Sequence, residues 1–300
     1  MIKRATALIP PLLAVGLVAV VCAQHADDLA SALERVAPWV FVATVTLHLC
    51  AVVVRTEAWR LTLAATGRVP RRPVAHWASA IGFLAGMVEG HAALPTRMAV
   101  ARRIAPADTP PLREMLLSDL PIYALETCML ATLLPIAVIG GVGLPAWTAA
   151  VVLVAAPGSV LALRLLYQRF ESHRLAAGLA VLAQPGLRGR LLLMAAAIVG
   201  LTFARIWIAL AAVGLPAGVE DAAIAYVAVT VVGQLPIGPA SGPAATLAVA
   251  SGSGVATAAA AGLVVSASSI AAVLVYLVAT AAGRPTRSVT GLKQEGNTGV

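Results

Sequence analysis

Long apolar stretches separated by short polar connections dominate the pattern along the chain. Six stretches have at least about 18 residues, close to the length at which an α-helix crosses the hydrocarbon of a bilayer. Two further apolar segments, 74–94 and 222–252, are broken by Gly, Pro and polar residues. The pattern predicts an all-α polytopic membrane protein with spans at residues 5–22, 37–54, 115–139, 146–166, 191–213 and 255–282.

Positive charges in the connections decide whether the two broken segments cross the membrane, because short cytoplasmic loops carry the excess of Lys and Arg. If residues 74–94 crossed fully, the arginines that follow them and those between 164 and 190 would lie in external loops. If the segment is a re-entrant helical hairpin, every later connection takes the side that its charge favours. We therefore expect about six full transmembrane helices plus two re-entrant hairpins, with both termini cytoplasmic.

The order of these segments is span, span, hairpin, span, and it occurs twice. An odd number of crossings in the first half inverts the second half. This predicts a single transmembrane domain over residues 1–283, with inverted half-repeats at about 1–139 and 146–283 and a short cytoplasmic tail at 284–300. Transporters built this way bind substrate near the midplane, where interrupted helices meet.

Composition narrows the class further. With 60% hydrophobic and 11% charged residues, the chain is not a soluble globular domain. The net charge of +8 is explained by loop arginines that set orientation and contact anionic lipids, so no nucleic acid is expected. The apolar start resembles a secretory signal, but more membrane segments follow it, and we expect an uncleaved helix in a bacterial-type inner membrane. No metal-ligand spacing occurs, and no metal or cofactor is expected.

Ionisable side chains inside a membrane are costly, so each one is a candidate for function. Asp119, Tyr123 and Glu126 have the spacing of one helical face. In the functional interpretation this face and Arg205 line a hydrophilic path, and Arg97 or Arg205 receives a lipid phosphate. In the alternative, Arg205 and Glu126 form a structural ion pair, while Asp119 and Arg97 extend to the interface.

The two hairpin tips complete the candidate path. Each contains Gly, a polar residue and Leu-Pro, and the second tip, residues 235–243, holds three prolines and cannot be ordinary helix. Its free carbonyls and amides could contact a polar headgroup, or the segment could be a passive kink. The tip residues assigned to the path are Glu89, His91, Pro95, Gln234, Pro236, Gly238 and Pro239.

These motifs resemble a known family, the transmembrane flippase-like region of lysylphosphatidylglycerol synthases and its stand-alone relatives. The similar stretches are Arg-Thr-Glu-Ala-Trp-Arg-Leu at 55–61, Leu-Pro-Thr-Arg at 94–97 and Leu-Pro-Ile-Gly-Pro at 235–239. The resemblance covers nearly the whole chain, but Met98-Ala99 replaces the family's Gly-Asp, the family's Asn near His91 has no counterpart, and its Glu after the second tip is missing. The aminoacyl-transferase domain is also missing, so lipid aminoacylation is not expected.

Together, the hairpins and the resemblance favour a lipid translocase or lipid-handling protein for an anionic or modified phospholipid or a polyprenyl-linked carrier. A second hypothesis is a non-transporting membrane partner of a lipid-modifying or cell-envelope enzyme. A third is an intramembrane transferase that uses Asp119 or Glu126 as a base. We expect no enzyme, because the connections are too short for a soluble catalytic module.

Overall fold

A computed structural model of the chain describes residue 23 and residues 26–88, 92–139, 146–215, 218–232 and 255–282. Within these ranges all regular secondary structure is helical. A 3₁₀ helix spans Arg174–Leu182. The α-helices are α1 (Ala26–Glu34), α2 (Pro38–Ala64), α3 (Arg72–Val88), α4 (Ala93–Ile104), α5 (Leu112–Met115), α6 (Leu120–Ile139), α7 (Ala146–Arg169), α8 (Pro185–Ala212), α9 (Val219–Val232) and α10 (Val255–Ala282).

Helices that are long and apolar enough to cross a membrane account for five of the six predicted spans. The predicted first span, 5–22, and the predicted second tip lie outside the described residues. The all-α membrane class is confirmed for the part of the chain that the structure describes. The five segments are Pro38–Ala64, Leu112–Leu133, Ala149–Arg169, Pro185–Ala212 and Ala256–Ala282.

Helix α2 continues ten residues beyond the predicted span end at residue 54 and stops at Ala64. The predicted span end at residue 54 placed Arg55 and Arg60 in the following connection, and the structure corrects this, because both residues lie on the helix. The extension is stable because its intervening side chains are buried: Trp59 and Leu63 are fully enclosed. The chain turns only afterwards, at Gly67, whose φ of +84° suits a residue without Cβ.

Helices α3 and α4 form an antiparallel helical hairpin from the first broken segment. They approach at backbone distance, because a Cβ on Gly82 would lie 2.8 Å from the carbonyl oxygen of Ala93, and one on Gly86 would lie 2.8 Å from Ala93 Cβ. Glycines four residues apart allow such contact between membrane helices. Pro95, predicted at the tip, instead lies in the first turn of α4, where a missing N–H costs little.

The interior of the bundle is built from small side chains. Helix α2 packs most extensively on α8, and α10 contacts α1, α2, α3 and α8. Fully buried alanines such as Ala209, Ala222, Ala225 and Ala260 occupy the centre of the α8, α9 and α10 cluster. Because lipid is as apolar as the side chains, close packing of small residues supplies the attraction between these helices.

The 3₁₀ helix supports the turn that precedes α6. Its Leu179, Val181 and Leu182 are buried, although sequence patterning assigned the segment to a basic cytoplasmic connection. A Cβ on Gly178 would lie 2.7 Å from the backbone nitrogen of Ser118, so the two backbones touch. This contact fixes the position of the turn at residues 116–119, which ends in Asp119.

Candidate functional site

Two ion pairs, one buried and one partly buried, join the hairpin and α2 to the start of α6. The Arg97 guanidinium on α4 pairs with the Asp119 carboxylate, and the two side chains are only 7% and 6% exposed. Arg97 also stacks over the ring of Trp59, with 4.3 Å from Cζ to the ring centroid. Because both charges are buried and paired, the expectation that Arg97 and Asp119 extend separately to the interface is wrong.

The second pair joins Arg55 of α2 to Glu126 of α6, with 2.6 Å between Nη2 and Oε2. The Arg55 guanidinium also lies over the Tyr123 ring, 5.3 Å from its centroid. Tyr123 and Glu126 therefore point to the same side of α6, as the spacing predicts, and Asp119 accepts the helical hydrogen bond from the backbone of Tyr123. The sequence does not predict Arg55 as a site residue, because the apolar run ends at residue 54.

Arg205 on α8 makes contacts of a different kind. Its guanidinium donates to Nδ1 of His48 on α2 at 2.6 Å and to the Ser269 hydroxyl on α10 at 2.8 Å. An arginine can only donate, so His48 must accept at Nδ1 and carry its proton on Nε2. Within the described part of the chain no carboxylate pairs with Arg205, and the predicted Arg205–Glu126 ion pair is wrong.

One face of helix α2 carries Arg55 and contacts the other two arginines, Arg97 and Arg205. His48, Arg55 and Trp59 are spaced at i, i+7 and i+11, which places them on one helical face. His48 accepts a hydrogen bond from Arg205, Arg55 is itself one of the three arginines, and the Trp59 ring stacks against Arg97. At 1.5 Å per residue this face extends about 16 Å, roughly half the hydrocarbon thickness. We call His48, Arg55 and Trp59, together with Arg97 and Arg205, the arginine stripe.

A small open cleft lies at the hairpin end of the arginine stripe. Its volume is about 30 Å³, enough for one or two water-sized groups. Ser79 Oγ, Arg97 Nε and Asp119 Oδ1 are buried there without a hydrogen-bond partner among the described residues. Buried polar atoms normally have partners, so this cleft is suited to a polar ligand. Its lining comprises Arg55, Ser79, Gly82, Phe83, Ala93, Leu94, Arg97, Asp119 and Tyr123.

The structure brings five of the predicted site residues, Arg97, Asp119, Tyr123, Glu126 and Arg205, to the arginine stripe or its ion pairs. Pro95 is exposed and does not line the cleft. Glu89, His91, Gln234, Pro236, Gly238 and Pro239 lie outside the described residues. In the ranges that the structure covers, no three His, Cys, Asp or Glu side chains are grouped to hold a metal ion.

Comparison with known proteins gives no relative. No family model matches the chain, and neither a curated protein nor a solved structure is detectably similar to it. The resemblance to the lysylphosphatidylglycerol synthase family stays a prediction based on the three motifs. The fold and the site therefore define a class only, a helical membrane protein with paired charges in its interior.

Proposed function

We propose that this protein is an integral membrane lipid translocase or lipid-handling protein whose ligand carries a phosphate headgroup. The ligand would be an anionic or modified phospholipid or a polyprenyl-linked carrier. The observation that carries the proposal is the arginine stripe: one face of α2, about 16 Å long, holds the buried guanidinium groups of Arg97 and Arg205 and carries the partly buried one of Arg55. Intramembrane charges are rare, and they mark the paths of polar substrates.

The chemistry of the stripe suits a phosphate. A guanidinium binds phosphate through two parallel hydrogen bonds, the same geometry it uses for a carboxylate. A headgroup entering the cleft would exchange with Asp119 on Arg97 and then with Glu126 on Arg55. The released carboxylates would balance a cationic part of the headgroup. Exchange is required because breaking a buried pair without replacement costs about 3–5 kcal/mol.

For topology, we propose that the α3–α4 hairpin is re-entrant. Its helices have 17 and 12 residues, so they extend about 25 and 18 Å, less than the roughly 30 Å of hydrocarbon. The hairpin then returns to the cytoplasmic side. With a first span at residues 5–22, the protein has six full spans, inverted halves, cytoplasmic termini and an inner-membrane location.

The proposal is tested with the purified protein in liposomes that carry fluorescent phospholipids of several headgroups. Chemical quenching from outside measures the rate at which lipid moves between leaflets. We expect protein-dependent movement that falls at least tenfold in Arg97→Gln. The control is Arg103→Gln on the same helix, because Arg103 is exposed and does not line the cleft. Equal rates with and without protein for every headgroup would contradict the proposal.

A second candidate, a membrane partner of a lipid-modifying enzyme, is favoured by helix α7. Only 11% of the apolar part of this helix is buried inside the protein, against 28–44% for the other four candidate spans. Among the five candidate spans it is the least covered, which suits contact with another membrane protein. Cellular activity that survives in Arg97→Gln but is lost when the exposed Val154 is replaced by Trp would favour this candidate over transport.

A further inference from the structure

A second polar cluster lies where α2, α3 and α10 meet. His76 on α3 contacts Glu57 Oε1 through Nε2 at 2.9 Å and the Tyr276 hydroxyl on α10 through Nδ1 at 2.5 Å. Tyr276 in turn donates to the Thr56 hydroxyl at 3.0 Å. Thr56 donates to the carbonyl of Val52, one turn earlier in α2. The result is a continuous hydrogen-bond chain from a carboxylate to a backbone carbonyl.

Counting hydrogens along this chain indicates which ring nitrogens of His76 donate. The carbonyl of Val52 can only accept, so the Thr56 hydroxyl donates to it and must accept from Tyr276. Tyr276 has a single hydroxyl hydrogen, which is then used. The contact between Tyr276 and His76 must therefore be an N–H donated by Nδ1 of the imidazole.

The other ring nitrogen faces a group that also accepts. The Glu57 carboxylate receives Arg60 Nη1 on Oε2 at 2.7 Å and Arg72 Nε on Oε1 at 3.2 Å. Two guanidinium partners favour the ionised carboxylate, which has no hydrogen to give. Nε2 of His76 must then donate as well. All bonds are satisfied only when the imidazole carries a proton on both nitrogens.

From this count we propose that Thr56, Glu57, His76 and Tyr276 form a proton-binding site that joins the hairpin to the last span. The site takes one proton from water, converting a neutral imidazole to an imidazolium and raising the local charge by one. Without the proton, Tyr276 must turn its hydrogen to Nδ1, and the Thr56 hydroxyl must then leave Val52 or face Tyr276 oxygen to oxygen. Release of the proton thus weakens the junction of α10 with α2 and α3.

The charges around the site act in both directions. Glu57 and Tyr276 face the ring and favour the proton, whereas Arg60 on α2 and Arg72 on α3 oppose it. Arg72 has a side chain 73% exposed, so water and salt weaken its repulsion. On α4, which also packs against α3, Arg97 is paired with Asp119, and the basic side chains of the last turn are Arg102 and Arg103.

The site is tested by solid-state NMR of the full chain in liposomes, with ¹⁵N in the histidine rings. Among the five histidines of the chain, His76 is identified as the one whose signal disappears in His76→Gln. We expect both ring nitrogens of His76 to show the shifts of protonated nitrogens in the wild type. A neutral ring with an unprotonated Nδ1 at neutral and mildly acidic pH would overturn the proposal, whatever the variants do.

Thr56→Val gives a sharper test, because Thr56 is hydrogen-bonded to Tyr276 and Val52 and not to the ring itself. Without the threonine acceptor, Tyr276 turns its hydrogen to Nδ1, and we expect His76 to lose one proton and become neutral. The matched control is Thr62→Val, another buried threonine of α2 that bonds its own helix, to the carbonyl of Trp59. Thr62→Val should leave the spectrum unchanged, and an unchanged spectrum in Thr56→Val contradicts the proposal.

A role for this proton in transport rests on the proposed function and has a separate readout. If the proton drives lipid movement, a pH difference across the liposome changes the rate in the wild type at least threefold and does not change it in Thr56→Val. Failure of lipid movement altogether would refute the translocase proposal and leave the NMR result on the proton site standing.

Discussion

Replacing the Arg97–Asp119 pair one residue at a time, and then as a pair, probes the charge burial on which the site depends. Asp119→Leu leaves the Arg97 guanidinium buried without a counter-charge, and Arg97→Met leaves the carboxylate in the same situation. Each single change should lower the free energy of unfolding by about 3–5 kcal/mol. The two together would sum to about 6–10 kcal/mol if their effects were independent.

The double variant should cost far less than that sum. Removing both charges ends the desolvation penalty, and apolar side chains of similar size in place of buried pairs are commonly neutral or stabilising by about 1–4 kcal/mol. The double variant also loses two favourable interactions. The stacking of Arg97 on Trp59 contributes at most about 2 kcal/mol, and the Asp119 carboxylate at the start of α6 contributes about 1 kcal/mol or less. We expect the double variant to lie within about 2 kcal/mol of wild type, a coupling of at least about 4 kcal/mol.

The measurement is reversible unfolding in mixed micelles of increasing SDS fraction, followed by tryptophan fluorescence. The control pair is Arg71 and Asp108, 3.7 Å apart with side chains 84% and 46% exposed. Exposed pairs contribute about 0–1 kcal/mol, so Arg71→Met and Asp108→Leu should have small and additive effects. If Asp119→Leu costs no more than Asp108→Leu, or if its effect adds to that of Arg97→Met, the inference of a tightly coupled buried pair is refuted.

Three further predictions concern packing, hydrogen bonding and topology. Gly82→Ala should destabilise the protein by about 1–3 kcal/mol through overpacking against α4, whereas Gly200→Ala, with nothing within 4 Å, should be neutral or stabilising in the same SDS titration. Ser269→Ala removes one of the two acceptors of the buried arginine on α8 and should cost about 1–3 kcal/mol; a loss below 0.5 kcal/mol would contradict this. In a chain whose own cysteines are replaced, Arg68→Cys and Arg103→Cys should be labelled from the same side of the membrane, and labelling from opposite sides would exclude a re-entrant hairpin.

Hydropathy and loop charge predict much of the fold, because the bilayer imposes one length scale on every crossing helix. Five predicted spans correspond to helices, and the first broken segment contains the chain reversal between α3 and α4. Hydropathy does not locate Arg55 correctly, because the apolar run ends before this residue whereas the helix continues to Ala64. Helix α2 continues because its charges are satisfied by α6 and by each other.

The site could be predicted only in part for a related reason. Tyr123 and Glu126 share a helical face, which is a local property of the sequence, and that part of the prediction is confirmed by their common contact with Arg55; Asp119 lies in the preceding turn and pairs with Arg97. Which arginine meets which carboxylate depends on helix adjacency, and no spacing within one helix encodes it. His48, Arg55 and Trp59 lie on one face only if the helix continues past residue 54. The shorter span predicted from the sequence therefore does not reveal this pattern.

The glycine contact between α3 and α4 means that the hairpin behaves mechanically as one piece. With no side chain between the backbones at Gly82 and Gly86, one helix cannot slide past the other without opening that contact. Arg97 is carried by one arm and His76 by the other. Any displacement that draws Arg97 away from Asp119 therefore also moves His76 relative to the last span. The cleft at Arg97 and the hydrogen-bonded cluster at His76 therefore lie on the two helices of one closely packed hairpin.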